Sequence, residues 1–395
     1  MLNQNGHLFI FHHCHHCKAR YHHANLATGS ISLEQEFQRR VQSDLQNHMA
    51  KYSYEVTDTP IIDSADLFLT KAGDQILTRL FTFERHGRQL ALRPEFTAPA
   101  AHRYITQFPD ESPVVRWQFH GPIFESDPYD LTRYYQRFSI GAELIGLAGI
   151  DAEAEIITMA AQGLDLIDIQ DWQLAIGHVG LMRHLLSAFG LDRRTERFLL
   201  NHRAELKRGT QGKTNLLERL ERHLPTQVES QQAIVVPRNG QTTMGGRTPQ
   251  EIMRRLQEKR QRADKREQIL DALNFLSTWG EISGEPQVAF QAIESLLVDE
   301  HGNAVLAEWQ TLVKQLQESG ISARRVIIQP DLARSWDYYT GLVFELRITT
   351  GSEVVCGGGR YDELTRIIGG KRDVPAVGFA YYCNQLFQLL EKQQR

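Results

Sequence analysis

The residues best equipped for chemistry fall in four short segments. "ARSWDYY" carries Arg334, Asp337, Tyr338 and Tyr339, "LRPEFT" carries Arg93 and Glu95, and "GAEL" carries Glu143. "CGGGRYDEL" adds Arg360, Tyr361 and Asp362 behind three glycines, which permit close backbone approach. A buried tyrosine hydroxyl needs a partner, so two adjacent tyrosines point to a wet surface or to a polar pocket. Two carboxylates with two phenols suit a ligand that has an ammonium group and a polar ring. Taken singly, each segment has an ordinary structural reading, an "RPE" in a turn or a "YY" packed beneath a sheet. Their order along the chain carries the signal.

Three other stretches imitate functional sites. "HHCHHCKARYHH" holds Cys14 and Cys17 as C-x-x-C with His22 and His23 close behind, the ligand types zinc prefers. No apolar periodicity surrounds it, so residues 1–29 read as a disordered extension with no metal site. The loop Gly240 to Thr248 imitates a phosphate-binding loop but lacks the lysine before the threonine that the mechanism needs. It reads as a flexible loop. Arg254, Arg255, Lys259, Arg260, Arg262, Lys265 and Arg266 alternate with Glu251, Glu258, Asp264 and Glu267, the pattern of a solvated helix face.

The elements that must position the four segments are legible as alternating strands and helices. Leu33, Phe37, Val41 and Leu45 mark a helix behind Ser32 as N-cap. "YEVTDTP" reads as a strand, and "LTRLFTFERHGRQLALRPE" as a hairpin turning at His86-Gly87. "TAPAAHRYITQ" reads as a helix, followed by the strands "SPVVRWQFHGPIF" and "TRYYQRFSIGAELIG". A helix from Asp151 to Leu166 opens on Asp151, Glu153 and Glu155, which suit the helix dipole. Residues 192–284 read as a charged helical insertion. Strands return in "RRVIIQP", "TGLVFELRI" and "EVVCGG", then a helix near Tyr361, the strand "PAVGFAY" and a last helix "NQLFQLLEKQQ". Sheet segments on both sides of the insertion predict an α+β fold, with one mostly antiparallel sheet flanked by helices. Residues 30–191 and 285–395 then form the core.

Composition narrows the function classes. A net charge of -4 argues against broad electrostatic binding of nucleic acid. The longest apolar runs fall far short of the ~20 residues of a membrane span, and no export signal opens the chain. Four cysteines in 395 residues form no disulfide framework, so a cytoplasmic location is expected.

In order, "LRPEFTAP", "GPIF…RYYQRFSIGAELIG", "ARSWDYYTGLVFE" and "CGGGRYDELTRIIGG…PAVGFA" resemble the catalytic core of class II histidyl-tRNA synthetases and their paralogues. The resemblance runs from Ser30 to Lys392 apart from the insertion. It implies a class II aminoacyl-tRNA synthetase-like sheet. It also implies a histidine pocket, with Tyr339 and Tyr361 at the imidazole end, Glu95 and Glu143 at the amino end and Arg334 near the carboxylate.

The departures from that pattern bear on activity. The family's "GPxFR" arginine, which binds the ATP α-phosphate, is Glu125 here. The "RYRQFHQ" arginine is Tyr135, the amino-group glutamine is Ser139, and the "GFAxGxERL" region ends on Asn384 and Gln385. Phosphoryl and adenylyl transfer depend on such cations, and Glu125 adds negative charge where the triphosphate would lie. Only a few residues follow Leu390, where the synthetases continue into an anticodon-binding domain. The resemblance therefore implies a paralogue with no catalytic residues and no cofactor. The paralogue so implied is the regulatory subunit that activates short-form ATP phosphoribosyltransferase in the first step of histidine biosynthesis and takes part in histidine feedback. Implied partners are the short-form catalytic subunit and a second copy of this chain within a hetero-octamer. "SYEVTDTPIIDSADLF" stands in the place of the dimer-forming first motif. Histidine is the implied ligand; tRNA and membrane are not partners. Two alternatives remain: a divergent synthetase-like enzyme in which Arg93, Arg116 or Arg334 replaces the lost clamps, and a stand-alone histidine sensor.

Overall fold

A computed structural model describes residues 33–70, 78–126, 135–223, 266–332, 334, 336–350 and 353–393. The His/Cys-rich stretch, Ser32, the Gly240 to Thr248 loop and the basic cluster as far as Lys265 lie outside the described residues. Helix α1 spans Leu33–Lys51. Its first turns belong to a unit ending at Arg40, while residues from Val41 onward belong to the compact unit that runs to Arg395. Val41, Leu45 and Met49, three members of the predicted fourfold stripe or its continuation, are buried in that second unit.

The framework is an eight-stranded sheet. Its strands are β1 (Glu55–Val56), β5 (Val115–Phe124), β6 (Gln136–Ile145), β7 (Trp172–His178), β8 (Val326–Ile328), β9 (Leu342–Ile348), β10 (Val354–Arg360) and β11 (Ala376–Tyr382). They lie in the order β1-β5-β6-β11-β10-β9-β7-β8. The edge strands β1 and β8 pair in parallel, and every other neighbour is antiparallel. The predicted mostly antiparallel sheet is therefore present. Its centre joins residues far apart in sequence, since Glu143 on β6 faces Gly378 on β11. "YEVTDTP" contributes only the two residues of β1.

The hairpin forms where the turn signal predicts it. β3 (Thr82–Arg85) and β4 (Arg88–Leu92) turn through His86 and Gly87, whose φ angles of 52° and 71° make the two-residue turn that matches strand twist. With β2 (Ile62–Ser64) they form a small second sheet. α2 (Ala65–Leu69) and α3 (Thr97–Gln107) pack near it, with Phe68, Ala91 and Ala98 buried together.

α4 (Ile150–Leu166) lies across β6, β11, β10 and β9. Its acidic first turn does more than complement the dipole. Glu153 forms an enclosed ion pair with Arg360 of β10, whose Nη2 also reaches the Gly149 carbonyl at 3.1 Å. Glu155 takes two bonds of 2.8 Å from Arg116 and a third of 2.8 Å from Tyr54.

The helices after β7 are α5 (Val179–Ser187), α6 (Arg193–His202), α7 (Thr210–His223), α8 (Arg266–Glu281), α9 (Pro286–Glu294) and α10 (Glu300–Glu318). Side-chain caps fix three of their starts. His178 Nδ1 accepts from the Leu181 amide at 3.0 Å, Asp192 from Arg194 at 2.8 Å and Asp299 from Gly302 at 2.8 Å. The helix expected near Tyr361 is the single turn α11 (Leu364–Ile367), which leaves Tyr361 at the end of β10. The last helix, α12, covers Cys383–Gln393. Among the described residues no helix is long and apolar enough to cross a membrane.

Removing one partner of a buried ion pair strands the other charge. Glu153→Ala is expected to destabilise the fold by about 3–5 kcal/mol in chemical denaturation, and Glu155→Ala, whose pair is more exposed, by less.

Candidate functional site

A cavity of about 330 Å³ opens over the middle of the sheet. All five residues expected at a histidine pocket line it: Glu95 from the turn before α3, Glu143 from β6, Arg334 and Tyr339 from the segment before β9, and Tyr361 from the end of β10. Tyr338 joins them, its ring 4.8 Å from Tyr339 and 5.8 Å from Tyr361.

The two carboxylates are held side by side. Glu143 Oε1 accepts from Thr97 Oγ1 at 2.6 Å and Oε2 from the Tyr361 hydroxyl at 2.5 Å. Glu95 accepts from the backbone amides of Thr97 and, at 2.9 Å, Ala98, so it also satisfies the first turn of α3. Burial dominates their titration. It pushes Glu95 up to about 7, against the pull of hydrogen bonds from Ala98, Thr97 and Tyr338. Glu143 goes up to about 8 by burial, with the neighbouring Glu95 charge adding to the rise. Such a pair receives a cation readily, because an ammonium group between them would supply the charge that burial withholds.

The opposite wall is built around Arg334. Its Nε donates to the Tyr339 hydroxyl at 3.2 Å, Nη1 to Glu345 at 3.3 Å, and Nη2 to the Tyr382 hydroxyl. Arg347 holds Glu345 in turn, at 2.7 Å. Glycine makes this crowding feasible. A β-carbon at Gly357 would overlap the Arg334 guanidinium, and one at Gly378 would overlap the Glu143 carboxylate. The charged groups therefore occupy space that strand side chains would otherwise fill.

Of the positions at which the chain departs from the family pattern, Glu125, Ser139 and Gln385 line the cavity, and Tyr135 and Asn384 do not. Glu125 does not stand as an uncompensated charge: Arg79 reaches it at 3.1 Å and Arg137 at 3.3 Å. Tyr135 is 46% exposed and rests edge-on against Phe81. Asn384 accepts from the Phe138 amide at 3.0 Å, and Ser139 donates to the Tyr381 carbonyl at 3.3 Å. Gln385 lines the cavity, with its buried Oε1 lacking a partner.

Several expected polar groups are placed elsewhere. Arg93 donates to the carbonyls of Thr59 and Pro122, and Arg116 is spent on Glu155, so neither lines the cavity as a replacement phosphate clamp. Arg360 and Asp362 brace α4 and β11, and Asp337 belongs to a neighbouring cleft. Sequence reasoning missed Thr97, Glu345, Tyr382, Arg79, Arg137 and the role of Gln385. Only the hydroxyl after "RPEF" offered a local signal; the others become neighbours only through the tertiary fold. Among the described residues no group of three or more His, Cys, Asp or Glu is arranged to hold a metal ion.

The sequence profile of histidyl-tRNA synthetase matches residues 33–235 and 241–386. A histidine–tRNA ligase of Methanococcus vannielii is 30% identical over 353 residues, covering 89% of this chain and 72% of that protein. Among solved structures, an ATP phosphoribosyltransferase regulatory subunit/histidyl-tRNA synthetase from Bacillus halodurans C is similar, with a TM-score of 0.68 at 20% identity. The match covers 94% of this chain and 84% of that one. Histidyl-tRNA synthetase from Nostoc sp. PCC 7120 gives a TM-score of 0.64 at 16% identity, covering 93% and 76%.

The raised carboxylates make the empty protein sensitive to pH. Their folded pKa values lie above the ordinary 4.5, so folding takes up protons. The stability they contribute is complete below that ordinary value and is lost as pH rises through about 7 and then about 8. Urea denaturation across this window is expected to show falling stability for the ligand-free protein, with a flatter profile for Glu143→Gln.

Proposed function

Because the chain belongs to the histidyl-tRNA synthetase family, we propose that it binds free histidine in this cavity and serves as a regulatory subunit of ATP phosphoribosyltransferase, without forming an adenylate itself. Histidine suits the donor and acceptor set. Its ammonium group would meet Glu95 and Glu143, its carboxylate would meet Arg334, and its imidazole would lie among Tyr338, Tyr339 and Tyr361. The free Gln385 Oε1 offers one further acceptor.

The observation that carries the non-adenylating part is Glu125 with its two arginines. The resemblance calls for an arginine at this position to take the ATP α-phosphate. Here a carboxylate stands there and occupies Arg79 and Arg137, so a triphosphate would have to break two ion pairs and face the freed Glu125 charge. Transition-state stabilisation of phosphoryl chemistry depends on cations already aimed at the phosphates. The Bacillus halodurans C structure, whose description names both a regulatory subunit and a synthetase, is compatible with this assignment. Regulation then follows from linkage, because histidine shifts the activity of an assembly only if it binds the active and inhibited states unequally.

The direct test is phosphoribosyl-ATP formation by the short-form catalytic subunit with and without this chain. Activation that histidine reverses is the expected result; an unchanged rate with folded protein present would remove the regulatory role. A divergent synthetase-like enzyme is the second reading, and Arg79 and Arg137 favour it as cations already in the cavity. Histidine-dependent exchange of pyrophosphate into ATP would establish that reading, and its absence is expected.

Tyr361→Phe deletes the hydrogen bond to Glu143, and Tyr339→Phe deletes the one to Arg334. Each is expected to weaken histidine binding by about 1 kcal/mol or more in calorimetry. Unchanged affinity in both variants would remove histidine from this cavity.

A further inference from the structure

A second cavity, of about 490 Å³, adjoins the first and shares Arg334, Trp336 and Tyr339 with it. Its other walls come from α5 and α6. Arginine dominates the lining: Arg183 from α5, Arg193 and Arg197 from α6, and Arg203 just beyond, together with Arg334. The carboxylates among its lining residues are Glu196, Asp337 and Glu363.

The inner cations are fixed in place. Arg183 Nη1 donates to the Tyr339 carbonyl at 2.9 Å, which leaves further guanidinium N–H groups for a ligand. Arg203 Nε is held by the buried Asp331 at 2.8 Å. The outer pair, Arg193 and Arg197, stand one turn apart on α6 and are exposed. Arg197 meets Asp337 only at 3.9 Å. Arg193 opens α6, where a cation runs against the helix dipole, so helix stability does not account for it. Burial is the main influence on Arg183 and lowers its pKa, while the nearby Asp337 and Glu363 raise it and Arg203 lowers it.

We infer that this second cavity is a binding site for a small phosphate-bearing anion. Preset guanidinium forks at the inner end and exposed ones at the rim match the oxygens of a phosphate or diphosphate group. The cavity lies within the roughly 300–1,000 Å³ of small-molecule sites. The inference rests on residues other than those assigned to histidine, apart from the shared wall, and needs neither histidine nor a catalytic subunit.

Calorimetric titration with inorganic pyrophosphate, and separately with inorganic phosphate, tests it on the full chain. Saturable pyrophosphate binding is expected, weakened about tenfold or more in Arg193→Gln/Arg197→Gln. Both substitutions are on exposed side chains, and an unchanged thermal unfolding curve would verify the fold. The companion variant Arg79→Gln/Arg137→Gln changes the first cavity and is expected to keep its pyrophosphate affinity. Comparable binding of inorganic phosphate would mark a single phosphate group as sufficient, and much weaker binding would mark a diphosphate; either supports the site. No saturable binding of either ion would overturn the inference. So would loss of binding in the Arg79 variant instead of the Arg193 variant, or binding by a single-stranded oligonucleotide alone.

Discussion

Holding charged groups in the middle of a β-sheet is the constraint on which the rest of this structure depends. Glu143 and Arg334 sit where strand side chains would ordinarily pack, and Gly357 and Gly378 clear the space for them. An isolated charge in such a place would cost several kcal/mol, so each must be provided for. Arg334 is supplied with a carboxylate and two phenols. Glu143 receives two hydroxyls, and burial still raises its pKa. The imbalance lies on the carboxylate side, where the ammonium group of the proposed ligand would find its complement.

The scaffold around the cavity meets this need with rigidity. Antiparallel pairing brings β6, β11, β10 and β9 side by side, fixing Glu143, Gly378, Gly357 and Glu345 relative to one another without any loop between them. The Arg360–Glu153 pair fastens β10 to α4 immediately before Tyr361. Glu143 and Glu345 are themselves set on these strands, and groups held in this way would lose little freedom on binding a ligand. The segment 336–339 has a double position, since Tyr339 offers its hydroxyl to one cavity and its carbonyl to the arginine of the other.

The electrostatics around Glu125 show why residue identity alone misleads. Read along the chain, Glu125 is a like charge placed against phosphate. In the fold it is the shared acceptor of Arg79 and Arg137, which are separated by more than fifty residues. On the proposed reading, a triphosphate would have to compete for two committed cations as well as face the Glu125 charge.

The sequence by itself determined the elements and the polar set. Alternation and turn residues located the hairpin at His86-Gly87, the long strands β5 and β6 and helix α4, because local periodicity and left-handed turn positions are properties of neighbouring residues. The order of the motifs indicated that Glu95, Glu143, Arg334, Tyr339 and Tyr361 act together, and all five line one cavity. Only the tertiary structure decided what each of them touches. Tyr361 bonds a carboxylate, Arg334 bonds Tyr382, Arg93 and Arg116 are spent on the scaffold, and Arg79 and Arg137 enter the site. Those partnerships join residues distant in the chain, and a hydrogen bond such as Tyr361 to Glu143, more than two hundred residues apart, leaves no periodic trace in the sequence.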